Sequence, residues 1–228
     1  MNWGAVIVAA GRGTRFGRPK QLIEIAGRPM LAWSIATFVA MPEIEPIVVV
    51  TENEWLDDVR EAIGALAATR TIAVVPGGAT RQASVRCGLQ ALPGSCDAVL
   101  VHDGARPLVQ AQDVREGMRA VGPGRAALLA APVVDTIKVV DPRTMRVDRT
   151  LDRATLWAAQ TPQFAMREEF LRAHDAAAAS SLEATDDVAL LEAIGIEVVV
   201  VPASAPNFKV THLSDAAHAE LLLGASLK

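Results

Sequence analysis

The stretch AVIVAAGRGTRFGRPK, residues 5–20, points to an α/β fold, because a short apolar run leads directly into a segment rich in glycine and basic residues. The run at 5–9 is too short for an ordinary helix and predicts a buried β-strand. The glycines that follow allow close backbone approach, so successive N–H groups can turn toward an anion. Ligands bind α/β sheets where such strands end. We therefore predict a phosphate-binding loop, to which Arg15 and Lys20 add positive charge.

Two better-known glycine-rich loops do not match this segment. The dinucleotide fingerprint needs its third glycine five positions after the first, but Phe16 occupies that position. A Walker A loop ends in Gly-Lys followed by Ser or Thr, whereas here Pro19 precedes Lys20 and Gln21 follows it. The remaining explanations are a phosphate loop of another kind and a flexible turn with solvated basic residues; three glycines with four basic residues at 11–20 favour the former.

The rest of the chain alternates short apolar runs with segments of helical period, which is typical of a doubly wound, mostly parallel sheet. Predicted strands lie at 5–9, 47–50, 71–75, 98–101, 126–131 and 197–201. Predicted helices lie at 30–38, 55–67, 81–92 and 113–121. A chain of 228 residues can bury a large core in one domain, and we predict a single domain over 1–228.

One segment breaks this alternation. Two extended runs flank the turn sequence DPRT, residues 141–144, and predict a β-hairpin that projects from the body at about 135–156. A two-stranded arm is marginally stable alone in water. We therefore expect the arm to pack against a second copy of the chain and to form a homodimer.

The segment GGATRQASV, residues 77–85, follows the third predicted strand and opens a helix. Thr80 is a plausible N-cap, and free N–H groups at a helix start can bind an anion, a ribose or a base edge. An ordinary capped turn explains this segment equally well. Its interest lies in its predicted position close to the first loop.

The segment VLVHDGARP, residues 99–107, ends a buried-looking strand in an acid, a glycine and an arginine. Mg²⁺ bound to a triphosphate needs only one or two carboxylates, a role that Asp103 can fill. Arg106 can hold a second phosphate through two hydrogen bonds. A surface ion pair between Asp103 and Arg106 is the alternative.

Composition excludes several classes of protein. The formal net charge of -4 provides no basic field for a nucleic acid, so bound phosphates must be held by local cations. The two cysteines and four histidines show no metal-ligand spacing. No apolar run reaches membrane-spanning length and no signal peptide is recognisable, so we expect a cytoplasmic protein without membrane contact.

Three later segments complete a set that resembles the 2-C-methyl-D-erythritol 4-phosphate cytidylyltransferase family: LWAAQTPQF at 156–164, TDD at 185–187 and NFKVT at 207–211. Taken singly, these are ordinary: Thr185 reads as the N-cap of a helix through Leu191, and Lys209 as a basic loop residue. Together with the first loop and DGARP, in this order, they are similar to the family nearly end to end. The resemblance implies a Rossmann-like nucleotidyltransferase that uses CTP, Mg²⁺ and a small polyol phosphate, as a homodimer.

The resemblance also implies residue roles. Arg15 and Lys20 stabilise the transition state, and Gly78, Arg81 and Ser84 hold the cytosine and ribose. The full nucleotide set is Ala9, Ala10, Gly11, Gly13, Lys20, Gly78, Arg81, Ser84, Asp103, Gly104 and Ala105, with Asp103 also beside the metal. The sugar-phosphate set is Arg106, Thr136, Arg153, Thr161, Thr185 and Lys209, with Arg153 reaching across from the partner's arm.

Three competing functions remain open at this point. A ribitol 5-phosphate cytidylyltransferase would carry the same loops. A nicotinamide-dependent dehydrogenase is disfavoured by the misplaced third glycine, and a non-catalytic nucleotide sensor would bind CTP without turnover.

Overall fold

The computed structural model describes residues 1–10 and 19–226. Gly11, Gly13 and Arg15 therefore lie outside the described residues. The strands are β1 (Trp3–Val8), β2 (Glu24–Ile25), β3 (Arg28–Pro29), β4 (Ile44–Thr51), β5 (Ile72–Pro76), β6 (Ala98–Asp103), β7 (Arg125–Pro132), β8 (Lys138–Val140), β9 (Val147–Thr150), β10 (Trp157–Met166) and β11 (Glu197–Pro202). The helices are α1 (Met30–Val39), α2 (Leu56–Ala62), α3 (Gly64–Ala67), α4 (Arg81–Ala91), α5 (Ala111–Ala120), α6 (Arg167–Ser180), α7 (Asp187–Ala193) and α8 (Leu213–Ser226).

A seven-stranded sheet forms the centre, in the order β11-β7-β10-β6-β1-β4-β5. Its pairs are parallel except those of β10, which runs antiparallel to both β6 and β7. This mostly parallel sheet with helices on both faces confirms the predicted fold class. All six predicted strands are present, with ends that differ by no more than three residues from the prediction.

The sequence analysis missed β10, which lies in the middle of the sheet. Its pairing with β7 shifts register between Ala159 and Gln163, and Pro162 lies within that interruption. A proline cannot donate to a ladder and is tolerated at such irregularities. This interruption of the alternation explains why the segment was not among the predicted strands.

The core lies on both sides of the sheet because side chains alternate along β1. One apolar cluster contains Ala5 and Ile7 of β1 with residues of α1 and α5. The other contains Val6 and Val8 with residues of α4, α6 and α7. All six residues of β1 are buried, as expected for a central strand covered on both faces.

The predicted helices at 30–38, 81–92 and 113–121 match α1, α4 and α5 within two residues. The predicted helix at 55–67 is divided into a 3-10 turn, α2 and α3, with a non-helical Ile63 before Gly64. Glycine lowers the stability of a helix interior, which accounts for a break at this position. Helix α6 was not among the predicted helices.

The hairpin is confirmed as β8 and β9, which form their own two-stranded antiparallel sheet. Apolar side chains around it are exposed: Val134 to 76%, Met145 to 75% and Val147 to 58%. Among the helices formed by the described residues, none has the length and hydrophobicity of a membrane-spanning segment.

Candidate active site

The sheet order brings three of the predicted segments to one place. Strand β6 lies between β1 and β10, and the parallel pairing of β1 with β6 puts the ends of both strands at the same edge. Antiparallel β10 pairs Gln163 with Val101 of β6, which places Thr161 beside the end of β6. The backbone N–H of Asp103 donates to Thr161 Oγ1 at 3.0 Å, so the two segments are in direct contact.

Asp103 is the centre of a cluster of positive side chains. Its Oδ1 accepts a hydrogen bond from Arg81 Nε at 3.0 Å, and its Oδ2 accepts one from Lys209 Nζ at 2.8 Å. Arg106 Nε lies 4.0 Å from Oδ2. Burial alone raises the pKa of Asp103, but the charges of Arg81 and Lys209 outweigh it and hold the pKa well below its ordinary value. Asp103 is therefore ionised near neutral pH.

Arg81 links two buried carboxylates. It lies in the first turn of α4, whose predicted N-cap Thr80 is confirmed, since the Thr80 side chain accepts from the N–H of Ala83 at 3.1 Å. Besides Asp103, Arg81 contacts Asp187, with Nη2 donating to Oδ2 at 2.9 Å. Burial lowers the pKa of Arg81, but the charges of Asp187 and Asp103 raise it above its ordinary value. The guanidinium is thus held at two points.

Gly78 and Ser84 form the tight turn that leads into α4. The N–H of Gly78 donates to Ser84 Oγ at 3.1 Å, and this hydroxyl donates to the carbonyl of Thr80 at 2.8 Å. A Cβ at Gly78 would lie 2.5 Å from the Cβ of Ala83, so a larger residue would displace the turn. Ser84 is fully buried, and in this geometry its hydroxyl holds the loop.

His102 is a functional neighbour that the sequence analysis did not assign. It is fully buried at the end of β6, and the Thr161 hydroxyl, which accepts from Asp103, donates to His102 Nδ1 at 3.1 Å. The other ring nitrogen, Nε2, then donates to the carbonyl of Arg106 at 3.1 Å. Burial lowers the pKa of His102 to about 4, so the ring is neutral. It fixes the turn that carries Arg106.

The segment NFKVT is tied to this turn by backbone contacts. Arg106 Nη1 donates to the carbonyl of Asn207 at 2.7 Å, and Asn207 Nδ2 donates to the carbonyl of Thr161 at 2.8 Å. Lys20 Nζ donates to the carbonyl of Val210 at 3.1 Å. Lys20 and Lys209, which are 189 positions apart in sequence, both border the same cavity.

Two cavities meet at this cluster. The smaller, of about 150 Å³, is lined by Val8, Ala10, Lys20, Gln21, Arg81, Asp103, Ala105 and Lys209. The larger, of about 270 Å³, is lined by Arg81, Asp103, Arg106, Ala159, Gln160, Thr161, Gln163, Thr185, Asp186 and Lys209. Arg81, Asp103 and Lys209 border both. Three basic side chains around one carboxylate, with Lys20 at the smaller of the two adjoining cavities, suit two phosphate groups held next to each other.

The remaining predicted residues are distributed as follows. Ala9 is buried and its N–H donates to the carbonyl of Val50, and Gly104 packs so closely that a Cβ would lie 2.8 Å from Leu31. Thr136 and Arg153 are exposed next to the hairpin strands, and neither is among the described residues that line the two cavities. Arg153 Nη1 donates to the carbonyl of Val134.

The N-cap prediction for Thr185 is wrong. Asp186 is the N-cap of α7, and its side chain accepts from the N–H of Ala189 at 3.2 Å. Thr185 lies one position earlier, exposed at the larger cavity. Asp is at least as good a cap as Thr, so two adjacent candidates could not be separated by residue type alone.

Asp187, Gln163 and Asn207 lie within the quoted segments but received no role from the sequence. All three are buried, with side chains that face the site or its supporting backbone. Their polar character inside apolar segments was the available signal, because buried polar groups need partners. The partners themselves come from distant parts of the chain.

Within residues 1–10 and 19–226, no three His, Cys, Asp or Glu side chains are grouped so as to hold a metal ion by themselves. Asp103, which borders both cavities, can supply one carboxylate ligand to a cation that a bound triphosphate brings with it. Mg²⁺ on a triphosphate takes its other ligands from phosphate oxygens and water. The residues therefore fit a cation that arrives with the nucleotide.

Comparisons with known proteins identify the family to which this chain is similar. Residues 4–225 match the model of the 2-C-methyl-D-erythritol 4-phosphate cytidylyltransferase family. A protein of that name from Dictyoglomus thermophilum is 39% identical over 222 residues, which cover 97% of this chain and 96% of the relative. The bifunctional enzyme IspD/IspF of Desulforudis audaxviator is 42% identical over 225 residues, which cover 96% of this chain but only 56% of that protein.

A solved structure leads to the same family. The crystal structure of 4-diphosphocytidyl-2C-methyl-D-erythritol synthase from Anaerococcus prevotii superimposes with a TM-score of 0.86 at 30% identity, covering 97% of this chain and 96% of that one. Because the family model matches residues 4–225 and a relative of that name is 39% identical over nearly the whole of both chains, the chain belongs to the 2-C-methyl-D-erythritol 4-phosphate cytidylyltransferase family.

Proposed function

We propose that this enzyme transfers CMP from CTP to 2-C-methyl-D-erythritol 4-phosphate. A phosphate oxygen of the sugar-alcohol phosphate forms a bond to the α-phosphorus of CTP, and the bond from that phosphorus to the β-phosphate oxygen breaks. The products are 4-diphosphocytidyl-2-C-methyl-D-erythritol and pyrophosphate. Family membership supports the reaction. The observation that carries its location is the pair of cavities that share Arg81, Asp103 and Lys209.

The smaller cavity is the proposed nucleotide side. Lys20 borders it directly, and Arg15 is proposed to join it from the glycine-rich segment. Arg81 lines it at the start of α4, where free N–H groups favour anions and acceptor edges. The remaining proposed nucleotide contacts are Ala9, Ala10, Gly11, Gly13, Gly78, Ser84, Asp103, Gly104 and Ala105.

The larger cavity is the proposed side for the sugar-alcohol phosphate. Arg106, Thr161, Thr185 and Lys209 all border it. Arg106 and Lys209 would bind the phosphate, and the Thr185 hydroxyl would bind its oxygens or the polyol. The Thr161 hydroxyl, whose hydrogen already donates to His102, could only accept a hydrogen bond from a polyol hydroxyl. We propose that Thr136 and Arg153 come from the arm of a second copy, since in their own chain they lie next to the exposed hairpin.

The mechanism follows from charge. The attacking phosphate monoester is already an anion near neutral pH, so the reaction needs no general base. Catalysis must bring two anions together in line and neutralise the charge that develops at the α-phosphate. Lys20 and Arg15 are the proposed agents, because fixed cations stabilise developing charge without reorganising. Neutral, buried His102 supports the turn and takes no proton in this scheme.

A divalent cation, Mg²⁺, is the proposed cofactor, with Asp103 as its one protein ligand. When bound, it neutralises part of the triphosphate charge. We further propose that 1–228 form one domain with a dimerisation arm at about 135–156, and that the homodimer works in the cytoplasm without nucleic acid.

The test is a substrate panel with purified enzyme, CTP and Mg²⁺, following pyrophosphate release. 2-C-methyl-D-erythritol 4-phosphate should give a higher kcat/KM than the phosphates of erythritol, ribitol and glycerol. A preference for ribitol 5-phosphate would contradict the proposed acceptor, and CTP binding without turnover of any acceptor would contradict the reaction itself.

A further inference from the structure

We propose that Asp187 is a positioning residue for this reaction, because it holds the guanidinium of Arg81 at the boundary between the two cavities. Neither the glycine-rich loop nor the strand-end motif contains this residue. The inference rests on the proposed function, in which Arg81 binds the nucleotide. Asp187 is not among the residues that line either cavity, so it would act on CTP binding through Arg81.

Arg81 forms ion pairs with two carboxylates at once, those of Asp187 and Asp103. Arg81 donates through Nη2 to Asp187 at 2.9 Å and through Nε to Asp103 at 3.0 Å. The two carboxylates thus hold different nitrogens of one planar group, which fixes its orientation. The Asp187 side chain is only 2% exposed, whereas that of Arg81 is 28% exposed and faces both cavities. Asp187 therefore contacts the back of the guanidinium and leaves its open side for a ligand.

Asp103 is also the proposed ligand of the cation that accompanies the triphosphate. If Asp103 ligates a cation on the triphosphate, the positive charge of that cation weakens the attraction between Asp103 and Arg81. Without another partner, the guanidinium would then be free to turn or to follow Asp103. Asp187 supplies that partner, so Arg81 keeps its place when Asp103 changes its contacts.

Asp187 is itself held in place by hydrogen bonds to Gln163 of β10. Its backbone N–H and that of Val188 both donate to Gln163 Oε1 at 2.9 Å. Gln163, buried on β10, also donates through Nε2 to Asp186 Oδ2 at 2.9 Å. Asp187 opens helix α7, where a carboxylate is favoured by the helix dipole. The anchor of Arg81 is thus connected to the central sheet.

Arg81 also balances the negative charge of the buried Asp187. His174 Nε2 lies 3.7 Å from Asp187 Oδ1, the opposite oxygen from the one that Arg81 contacts. His174 is 1% exposed, and burial lowers its pKa, so the ring is neutral near pH 7. Arg81 is therefore the positive charge that balances Asp187, and the pair is strongly coupled.

The experiment compares Asp187→Asn with Asp175→Asn. Asp175 forms the neighbouring ion pair with Arg86 of the same helix α4, at 2.7 Å, but this pair is exposed and borders neither cavity. Calorimetric titration with CTP and Mg²⁺ should show Kd raised about tenfold or more in Asp187→Asn and changed less than twofold in Asp175→Asn. Steady-state kinetics should show KM for CTP rising more than KM for the sugar phosphate.

A mutant cycle separates positioning from general structural support. In an Arg81→Lys background, which keeps the charge but loses the planar fork, Asp187→Asn should weaken CTP binding by less than threefold further. If the two effects multiply in full, Asp187 acts independently of Arg81 and the inference is wrong. Should Asp187→Asn fail to fold, Asp187→Glu retains the charge, and the same non-additivity with Arg81→Lys is required.

The outcomes for the inference and for the proposed function differ. A wild-type enzyme that binds CTP and turns over, together with an Asp187→Asn variant indistinguishable from Asp175→Asn, overturns the inference alone. A wild-type enzyme that does not bind CTP overturns the proposed function and this inference with it.

Discussion

Asp103 shows how a single carboxylate organises a site made for anions. Its neighbours Arg81, Lys209 and Arg106 would repel one another without it, and its negative charge holds them together in the folded chain. Because these contacts form on folding, the binding charges are oriented before the substrates bind. Pre-oriented charges stabilise a transition state more effectively than solvated ones.

Lys20→Ala is the most direct mutational check at this scale. We expect kcat to fall by at least about 100-fold, since Lys20 supplies a fixed charge next to the reacting phosphates. Among the contacts of the described residues, the change removes the hydrogen bond to the Val210 carbonyl, and we expect the fold to persist without it. Steady-state assays of the purified variant measure kcat, and a thermal melt measures its stability. Arg60→Ala, at an exposed ion pair on α2, is the control; a Lys20→Ala enzyme with unchanged kinetics would remove Lys20 from the mechanism.

His102 gives a prediction about pH and stability. Burial lowers its pKa from the ordinary 6.5 to about 4, so between these values the unfolded chain takes up a proton that the folded chain does not. The free energy of unfolding should therefore fall as the pH drops from 6.5 to 4, with a contribution of about 3 kcal/mol from this residue. Urea titrations across this range measure the slope.

His102→Gln should reduce that slope, while His174, whose pKa is also lowered, keeps part of it. His212→Gln, which removes an exposed histidine, is the control for the loss of a histidine as such. Equal slopes in wild type and His102→Gln would show that His102 is not the group responsible.

At the scale of elements, close packing of α4 on the sheet sets the position of Arg81. Gly88 allows this approach: a Cβ there would lie 2.4 Å from Val6 Cγ1 and 2.8 Å from Val50 Cγ2. The helix therefore lies near β1 and β4, and its first turn meets the end of β6.

Gly88→Ala should lower the free energy of unfolding by about 2 kcal/mol, because the strain of overpacking outweighs the better helix propensity of alanine. Gly224→Ala in α8 is the matched control, since its Cβ would have no described atom within 4 Å. That change should be neutral or stabilise by up to about 1 kcal/mol. Urea denaturation distinguishes them, and equal effects would mean that α4 can move away from the sheet without cost.

At the scale of the whole molecule, the hairpin and its flanking residues carry exposed apolar side chains. They also carry Thr136 and Arg153, two proposed substrate contacts that border neither of the two cavities of their own chain. Val134, Met145 and Val147 are more than half exposed. A second copy would cover them and receive Thr136 and Arg153 at its larger cavity. In such an exchange each active site combines residues of both chains.

Mixed dimers test this arrangement. Arg153→Ala alone should raise KM for the sugar phosphate more than KM for CTP. When Lys20→Ala and Arg153→Ala enzymes are mixed and re-equilibrated, half of the dimers are mixed and each has one intact site, so about a quarter of the wild-type activity should return. No recovery after demonstrated subunit exchange would mean that Arg153 serves its own chain's site.

Much of the architecture follows from local sequence pattern. The apolar runs of β1 and β6, the Thr80 cap of α4 and the turn of the hairpin are each set by residues within a few positions of one another. Such short-range features depend on backbone preference and on alternating burial, which a sequence displays directly. The motifs that end these strands indicated the phosphate chemistry for the same reason.

The contacts that make the site depend on how the strands are ordered. Asp103 meets Lys209 across 106 positions, and Arg81 meets Asp187 across 106 positions. Antiparallel β10, which carries Thr161 and Gln163 into the middle of the sheet, was hidden by the interruption at Pro162. Local pattern gives the strand and helix segments, but which charges become neighbours is set only when the sheet assembles, because partner choice is a property of three-dimensional packing.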